Sequence, residues 1–453
     1  MDAEAVFSRM PPTKLFLYVA IPGLISMAAG AAYQATDGIL VGQFLGELAF
    51  AALTLALPFV IINFALADLI GVGASVPISL ALGEGRKKDA NNIFTCAVIL
   101  IVLSGILLGL LLYFAAPVLF PVMGADPELS ALAVSYLQVF ALLSPVTTAT
   151  YAIDNFLRVC GKVKMSMGLN LVSSLGGLAL EVLFLGVFKG GIASAALAIC
   201  IGMIVGVTIG SIPLLRGRYL LKPCMPKFSF SMVKTIVICG TPNFLQNVAG
   251  RVIEILMNVL LLRFGGPAAV SVYGIVMYAD GIILPFIYGM CDSLQPTVSY
   301  NWGAGLKMRV KAIEMRLFTA CALVSVLAVI LVSLFPTQIA LLFLPDVSAE
   351  FMVMAETALR LFALAYLVKW FAFAVQSLFL AVGKARTAIT LSVASTLVFP
   401  ILMMIVLLPL ELTGIWMNFA ASATLGAIFA GFLLFRYRKL FTAHGRVSKN
   451  PYS

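Results

Sequence analysis

The stretch from Leu15 to Leu55, LFLYVAIPGLISMAAGAAYQATDGILVGQFLGELAFAALTL, decides how the rest of the chain is read. It is apolar nearly throughout and long enough for a membrane-spanning helix. Yet it carries Pro22, Gln34, Asp37 and a glycine-bounded segment, Gly42 to Gly46. A carboxylate inside a bilayer helix costs about 2.5–3.5 kcal/mol on insertion scales. Asp37 is therefore either compensated or useful, and the expectation is a transporter organised around that acid.

Composition extends the reading. The 453 residues are 62% hydrophobic and only 11% charged, more apolar surface than a soluble protein of this size can hide, so the chain is a polytopic membrane protein. The net charge of +10 belongs to topology rather than to a nucleic-acid partner. All of the Lys and Arg residues except Lys189, Arg251, Arg263, Arg360 and Lys369 fall in the tails or in every second loop. The positive-inside rule makes that side cytoplasmic, with both termini there. The opposite loops carry Glu47, Asp126, Glu128, Asp346, Glu350 and Glu411. The cysteines are scattered without a CxxC and His444 is the sole histidine, so neither metal nor cofactor is expected. Ala29-Gly30-Ala31 imitates a signal-peptide cleavage site, but the repeat described next places this segment in the working protein.

Apolar runs separated by polar loops give twelve candidate spans. The first half holds 14–42, 48–82, 92–120, 129–158, 164–188 and 191–215; the second holds 232–262, 268–301, 311–335, 351–381, 386–410 and 413–436. The halves repeat. At a separation of 220 residues Pro22 meets Pro242, Gly46 meets Gly266, and Gly83 and Gly85 meet Gly303 and Gly305. Two residues further apart, Gly161-Lys162 meets Gly383-Lys384. An even number of spans per half makes the repeat parallel, with a cleft between lobes, which is a transporter architecture. The expected division is an N-terminal lobe at 1–215, a cytoplasmic linker at 216–231, a C-terminal lobe at 232–437 and a tail at 438–453.

Together these residues resemble the multidrug and toxic compound extrusion (MATE) family of twelve-helix antiporters, its bacterial MepA-like branch in particular. The resemblance covers nearly the whole chain. It rests on Pro22 with Asp37-Gly38-Ile39-Leu40-Val41-Gly42, on Ser79 to Gly85, on Gln295 to Ala304, on Asn155-Phe156-Leu157-Arg158, and on Leu180 to Phe184 followed by Gly190-Gly191-Ile192-Ala193. The resemblance implies an all-α membrane fold of two parallel six-helix repeats. It also implies export of a drug-like small molecule by alternating access, driven by proton or sodium entry. The family's coupling acids lie on the first and fifth helices; Asp37 matches the first, and Glu181 stands where most members have Asp. Gly177 and Ile199 replace an Asn and a Thr of the family, which removes oxygen ligands for a metal cation and favours the proton.

Two carboxyls in one low-dielectric lobe do not both ionise readily, so Asp37 and Glu181 form a natural proton site. Pro22 gives the first span a bend for that proton to act on. The C-terminal lobe has its own polar set of Arg251, Glu254, Asp280, Asp292 and Lys369, with Glu254 at the repeat position of Gln34. Gln34 and Glu254 are expected to face a lobe interior or the cleft, as substrate or secondary coupling residues. Lys369 needs a carboxylate, with Glu254, Asp280 and Asp292 as candidates. Sodium-coupled relatives of the NorM type use acids on helices 7, 8 and 10, and a lysine on the tenth span would repel sodium. Arg251 with Glu254 and Asp154 with Arg158 have spacings that suit simple ion pairs. Asp68 has no evident partner.

The expectation is a monomeric, cation-coupled multidrug antiporter of a bacterial plasma membrane, with the proton preferred as coupling ion. The alternative is a lipid-linked saccharide flippase or polysaccharide exporter of the same superfold, which would favour a cationic cavity. A membrane-embedded enzyme lacks any HExxH or GxSxG motif to support it. A channel is disfavoured because this chain encloses its own two-lobed cleft.

Overall fold

The computed structural model describes residues 5–123, 125–343 and 348–441. Asp346, His444 and most of the expected tail lie outside the described residues. Within them the chain is helical, without a strand. The N-terminal lobe comprises α1 (Pro12–Leu45), α2 (Glu47–Gly83), α3 (Lys87–Val122), α4 (Pro127–Val159), α5 (Val163–Val182) and α6 (Ile192–Leu215). The C-terminal lobe comprises α7 (Phe230–Gly303), α8 (Lys307–Leu334), α9 (Pro336–Phe343), α10 (Ala349–Ala381), α11 (Ala385–Val393), α12 (Phe399–Leu407) and α13 (Glu411–Arg436).

Twelve crossings are accommodated, but not as twelve separate helices. The expected runs 232–262 and 268–301 lie in α7, a single 74-residue element broken at Gly266, whose φ of 66° and ψ of −166° are open to glycine and strained for other residues. Pro267 follows at once as an N-terminal helix residue, so the helical hydrogen bonding resumes without a loop. The last two crossings likewise share a nearly continuous segment from Ala385 to Arg436. The short α9 was not expected. Pro336 ends α8 and begins it, and eight residues are too few to register as a crossing.

The repeat holds at the level of backbone geometry. Gly46 and Gly266 both have positive φ, as do Gly85 and Gly305, and Gly161 and Gly383. After α2, the Arg86 amide donates to the Ala81 carbonyl and the Gly85 amide to the Leu82 carbonyl. The same two bonds recur around Gly161, Gly305 and Gly383. Each is a Schellman helix end, which satisfies the orphan carbonyls of the last turn and requires a left-handed residue. All four are followed by the basic loops. In the first of them Arg86 bridges Asp89 and Glu84, and its hydrogen bonds to Asp89 above all, then to Glu84, hold its guanidinium above the ordinary arginine range. Burial pushes the Cys160 thiol, between α4 and α5, up to about 12.

The lobes meet mainly where α2 and α1 pack against α7. Backbones approach so closely that side chains are excluded. A Cβ on Gly240 would lie 1.8 Å from the Leu69 carbonyl oxygen, and one on Gly83 2.1 Å from that of Tyr300. Gly23 and Gly289 oppose each other in the same way. These contacts all lie in the halves of the helices nearest the basic loops. Farther along the same helices, Gly30, Gly250, Gly274 and Gly281 face open space within 4 Å. The N-terminal segment adds to the closed end. Asn301 Nδ2 donates to the Phe7 carbonyl at 3.1 Å, and Arg309 donates to the Phe7 and Met10 carbonyls at 2.8 Å. Residues 216–229, between α6 and α7, lie along α3, where the Lys222, Cys224 and Lys227 amides donate to Asn91, Thr95 and Asn92.

Candidate functional site

Three groups of polar side chains are buried or half-buried within these helices. The first is in the N-terminal lobe, where α1 packs on α5 and α5 on α6. Asp37 on α1 is 4% exposed and Glu181 on α5 is fully buried. Their carboxyls face each other within hydrogen-bonding reach. Asp37 Oδ1 and both Glu181 oxygens have no other partner. Orphaned oxygens of this kind are rare in native interiors and costly. No basic side chain lies beside them among the described residues. An acid pair in contact, with no such side chain beside it, is a place where a proton or a small cation can be held.

Tyr33 and Tyr136 surround that pair, and the Tyr33 hydroxyl is buried without a partner. Sequence reasoning did not single them out, although Tyr33 lies one helical turn before Asp37 on the same face. Gly177 faces Ile199 and the Tyr33 ring, so both positions that lack the family's polar residue are at this site. The chain widens into a π-helical turn, Leu183–Val187, directly after the Glu181 turn. Pro22 lies within an unbroken α1, buried, with its carbonyl accepting from Ser26 at 2.9 Å. Gln34 is exposed, and does not sit in the lobe interior with Asp37. Three residues turn a helix by about 300°, so Gln34 lies only about 60° from Asp37, on the side of α1 that carries Gly23 and Gly30.

The second group is in the C-terminal lobe, between α7 and α10. Of the three candidate partners for Lys369, the fold selects Asp280, at 3.2 Å and 3.4 Å from its two oxygens. The Lys369 ammonium also lies 5.8 Å from the Phe362 ring centre. Gln376 donates to Gln246 at 3.3 Å, and Gln246 to the Tyr288 hydroxyl at 3.4 Å. Tyr288 packs on Phe373 with ring centres 4.2 Å apart. Phe362, Tyr366, Lys369, Phe373 and Gln376 recur at helical spacing, a signal in the sequence that could have grouped them. Arg251 and Glu254 form their expected pair at 2.6 Å, separately and more exposed.

The expected C-terminal set thus divides, because Asp292 belongs to a third group. It lies at the interface between lobes, close to Asp68, Asp154 and Arg158. Asp68, for which no partner was evident, therefore has its neighbours in α4 and in the opposite lobe. The Asp154–Arg158 pair is nearly dry, at 2.7 Å with 10% and 4% of the side chains exposed. Ser166 and Asn170 complete it, with Asn170 Nδ2 donating to Asp154 at 2.9 Å and Arg158 Nε to Ser166 at 3.1 Å. This is a buried network built around the simple ion pair that its spacing suggests.

Comparison with known proteins gives a coherent result. The MatE family profile matches residues 22–183 and 242–406. The multidrug export protein MepA of Staphylococcus aureus strain MSSA476 is 24% identical over 448 residues, covering 96% of each chain. A solved transporter of the MOP superfamily from Pyrococcus furiosus superposes with a TM-score of 0.90 at 23% identity, over 96% of this chain and 98% of that one. A multidrug resistance MATE transporter solved in an outward-facing conformation gives 0.89 at 24% identity, over 95% and 96%.

Proposed function

The chain belongs to the MatE family, and on that premise we propose that it is a proton-coupled antiporter exporting drug-like, often cationic, small molecules from a bacterial cell. The observation that carries this reading is the Asp37–Glu181 contact, a buried acid pair with three unpartnered oxygens and no basic side chain beside it among the described residues. The export of drugs is supported by the similarity to MepA along 96% of both chains. It is a multi-pass membrane transporter and not an enzyme.

In this mechanism a proton entering from outside is held between Asp37 and Glu181, and its arrival alters how α1 packs in its lobe. Pro22, which lacks an amide to donate, is the point at which α1 bends. The basic loops and both termini are assigned to the cytoplasm. On that assignment the glycine contacts at Gly23, Gly83 and Gly240 close the cytoplasmic side, and the cleft opens outward. Export would require these contacts to part and reform, taking the interface group of Asp68 and Asp292 through water each cycle. Gln34 and Glu254 remain proposed contacts for substrate. Asp280, Asp292 and Lys369 are proposed for substrate binding or secondary coupling.

A proton entering down ~100 mV and one pH unit releases roughly 3.7 kcal/mol. That supports a gradient of roughly several hundredfold for a neutral substrate. For a monovalent cation exchanged one for one, voltage cancels and only about tenfold per pH unit remains. The flippase alternative would need free positive charge in the cleft. Of its three candidate sources, Lys369 and Arg251 are instead paired with Asp280 and Glu254, which leaves Arg263, against the Phe264 ring.

The direct test uses purified protein in liposomes loaded with ethidium, under an imposed pH gradient, with and without sodium. Proton-driven dye movement, lost in Asp37→Asn, is the expected result. Sodium dependence that survives Asp37→Asn would move coupling to the C-terminal lobe. Movement of lipid-linked sugars with no dye movement would install the flippase instead.

A further inference from the structure

Lys369 occupies a site with the features of a receptor for an organic cation. Its ammonium contacts both oxygens of Asp280 and lies against the Phe362 ring. Carboxylate and aromatic face are the two elements by which proteins hold ammonium ligands. The Tyr366 hydroxyl, on a residue 1% exposed, is buried within reach of Asp280. That hydroxyl is a second polar group at the same spot.

The placement is interior. On α10 the exposed stripe runs through Arg360, Leu364 and Leu367. Lys369 lies about 180° from that stripe, and Asp280 is similarly opposite the exposed Ser271, Tyr278 and Ile282 on α7. The lysine is nevertheless 34% exposed and the aspartate 15%. That exposure is on the inward side of both helices. A mobile ligand can therefore reach the pair, and an ion pair this wet holds weakly enough to be displaced.

We infer that Lys369 is a tethered cation which fills the Asp280 site in the empty transporter and is displaced from it by an aromatic organic cation. The inference rests on the exporter reading and names what its C-terminal lobe selects. A ligand without positive charge gains nothing by competing with the lysine, whereas a cation replaces one charge by another at Asp280. The lysine also keeps that carboxylate from remaining ionised and alone when no substrate is present. Binding energy is lowered by the fraction of time the tether closes the site, so its removal should tighten binding by about tenfold if the site is open about a tenth of the time.

The experiment measures ethidium binding to purified full-length protein by fluorescence anisotropy. Lys369→Met should bind about tenfold more tightly than the parent, and Lys369→Met combined with Asp280→Asn should lose the gain. Should Lys369→Met not fold, Lys369→Gln takes its place under the same criteria, since it removes the tethered charge and leaves only a neutral group of similar length. No gain on removing the lysine, or a gain that persists without the Asp280 carboxylate, overturns the inference. Parent-protein efflux from liposomes is measured alongside. Efflux without the binding gain removes the tethered cation and leaves the exporter. A binding gain dependent on Asp280 without efflux of any dye leaves the self-occupied site standing and removes the exporter.

Discussion

In the N-terminal lobe Asp37 and Glu181 are buried against each other with three oxygens unpartnered, whereas in the C-terminal lobe Asp280 and Glu254 each hold a basic side chain, at 3.2 and 2.6 Å. The helical framework is the same, down to paired left-handed glycines at Gly46 and Gly266 and at Gly85 and Gly305. The repeat therefore preserves backbone turns while the electrostatics of the halves diverge. Glycine geometry is set by chain reversal, which both halves need. Charge placement is under no such common requirement.

Four measurements sharpen or break the contrast. The largest effect is expected from Arg158→Met, which would leave Asp154 as a further unpaired buried acid. Loss of about 3–5 kcal/mol is expected, the usual cost of breaking a buried pair, read as a lowered thermal unfolding midpoint in detergent. An unchanged midpoint would mean that the network around Ser166 and Asn170 holds Asp154 without the arginine.

Asp37→Asn comes next. Proton-driven dye movement should fall roughly 5- to 150-fold, the range of a coupling free energy of about 1–3 kcal/mol. Asp280→Asn should instead weaken dye binding, while the dye that still moves keeps its dependence on the pH gradient. If the two variants lose that dependence equally, the division of labour between lobes is gone.

A valine at Gly240 would collide with the Leu69 backbone, since even its Cβ would lie 1.8 Å from the carbonyl oxygen. An overpacking cost of about 1–3 kcal/mol is expected, forcing the closed end apart. Cys239, now fully buried, should then become reactive to maleimide, as mass spectrometry would show. Continued protection would mean that the interface adapts around the new side chain. The smallest effect is expected from Arg251→Met. Its pair with Glu254 is 51% and 36% exposed, so only about 0–1 kcal/mol should be lost. A loss as large as that for Arg158 would refute the ranking of the pairs by burial.

Much of this was legible from the chain alone. The apolar runs mark the crossings to within a few residues, except that Gly266 joins two of them in one element and α9 is too short to notice. Asp37 stood out because an acid in an apolar run has no local explanation. Other features were beyond reach. The stripe from Phe362 to Gln376 was present as spacing, but nothing in it says which helix it faces. Asp292 was grouped with Lys369 because both fall in the C-terminal half, whereas the fold turns it to the interface beside Asp68.

The sequence by itself determined the membrane character, the crossings, the parallel repeat and the glycine turns, because each follows from hydropathy or local backbone preference along a continuous segment. Only the tertiary structure decided that Asp37 meets Glu181, that Lys369 takes Asp280 over Glu254 or Asp292, and that Gln34 is exposed while Asp37 is buried. Those outcomes depend on the rotation and register of one helix against another. A shift of one residue rotates a side chain by about 100°, and no local pattern fixes that angle.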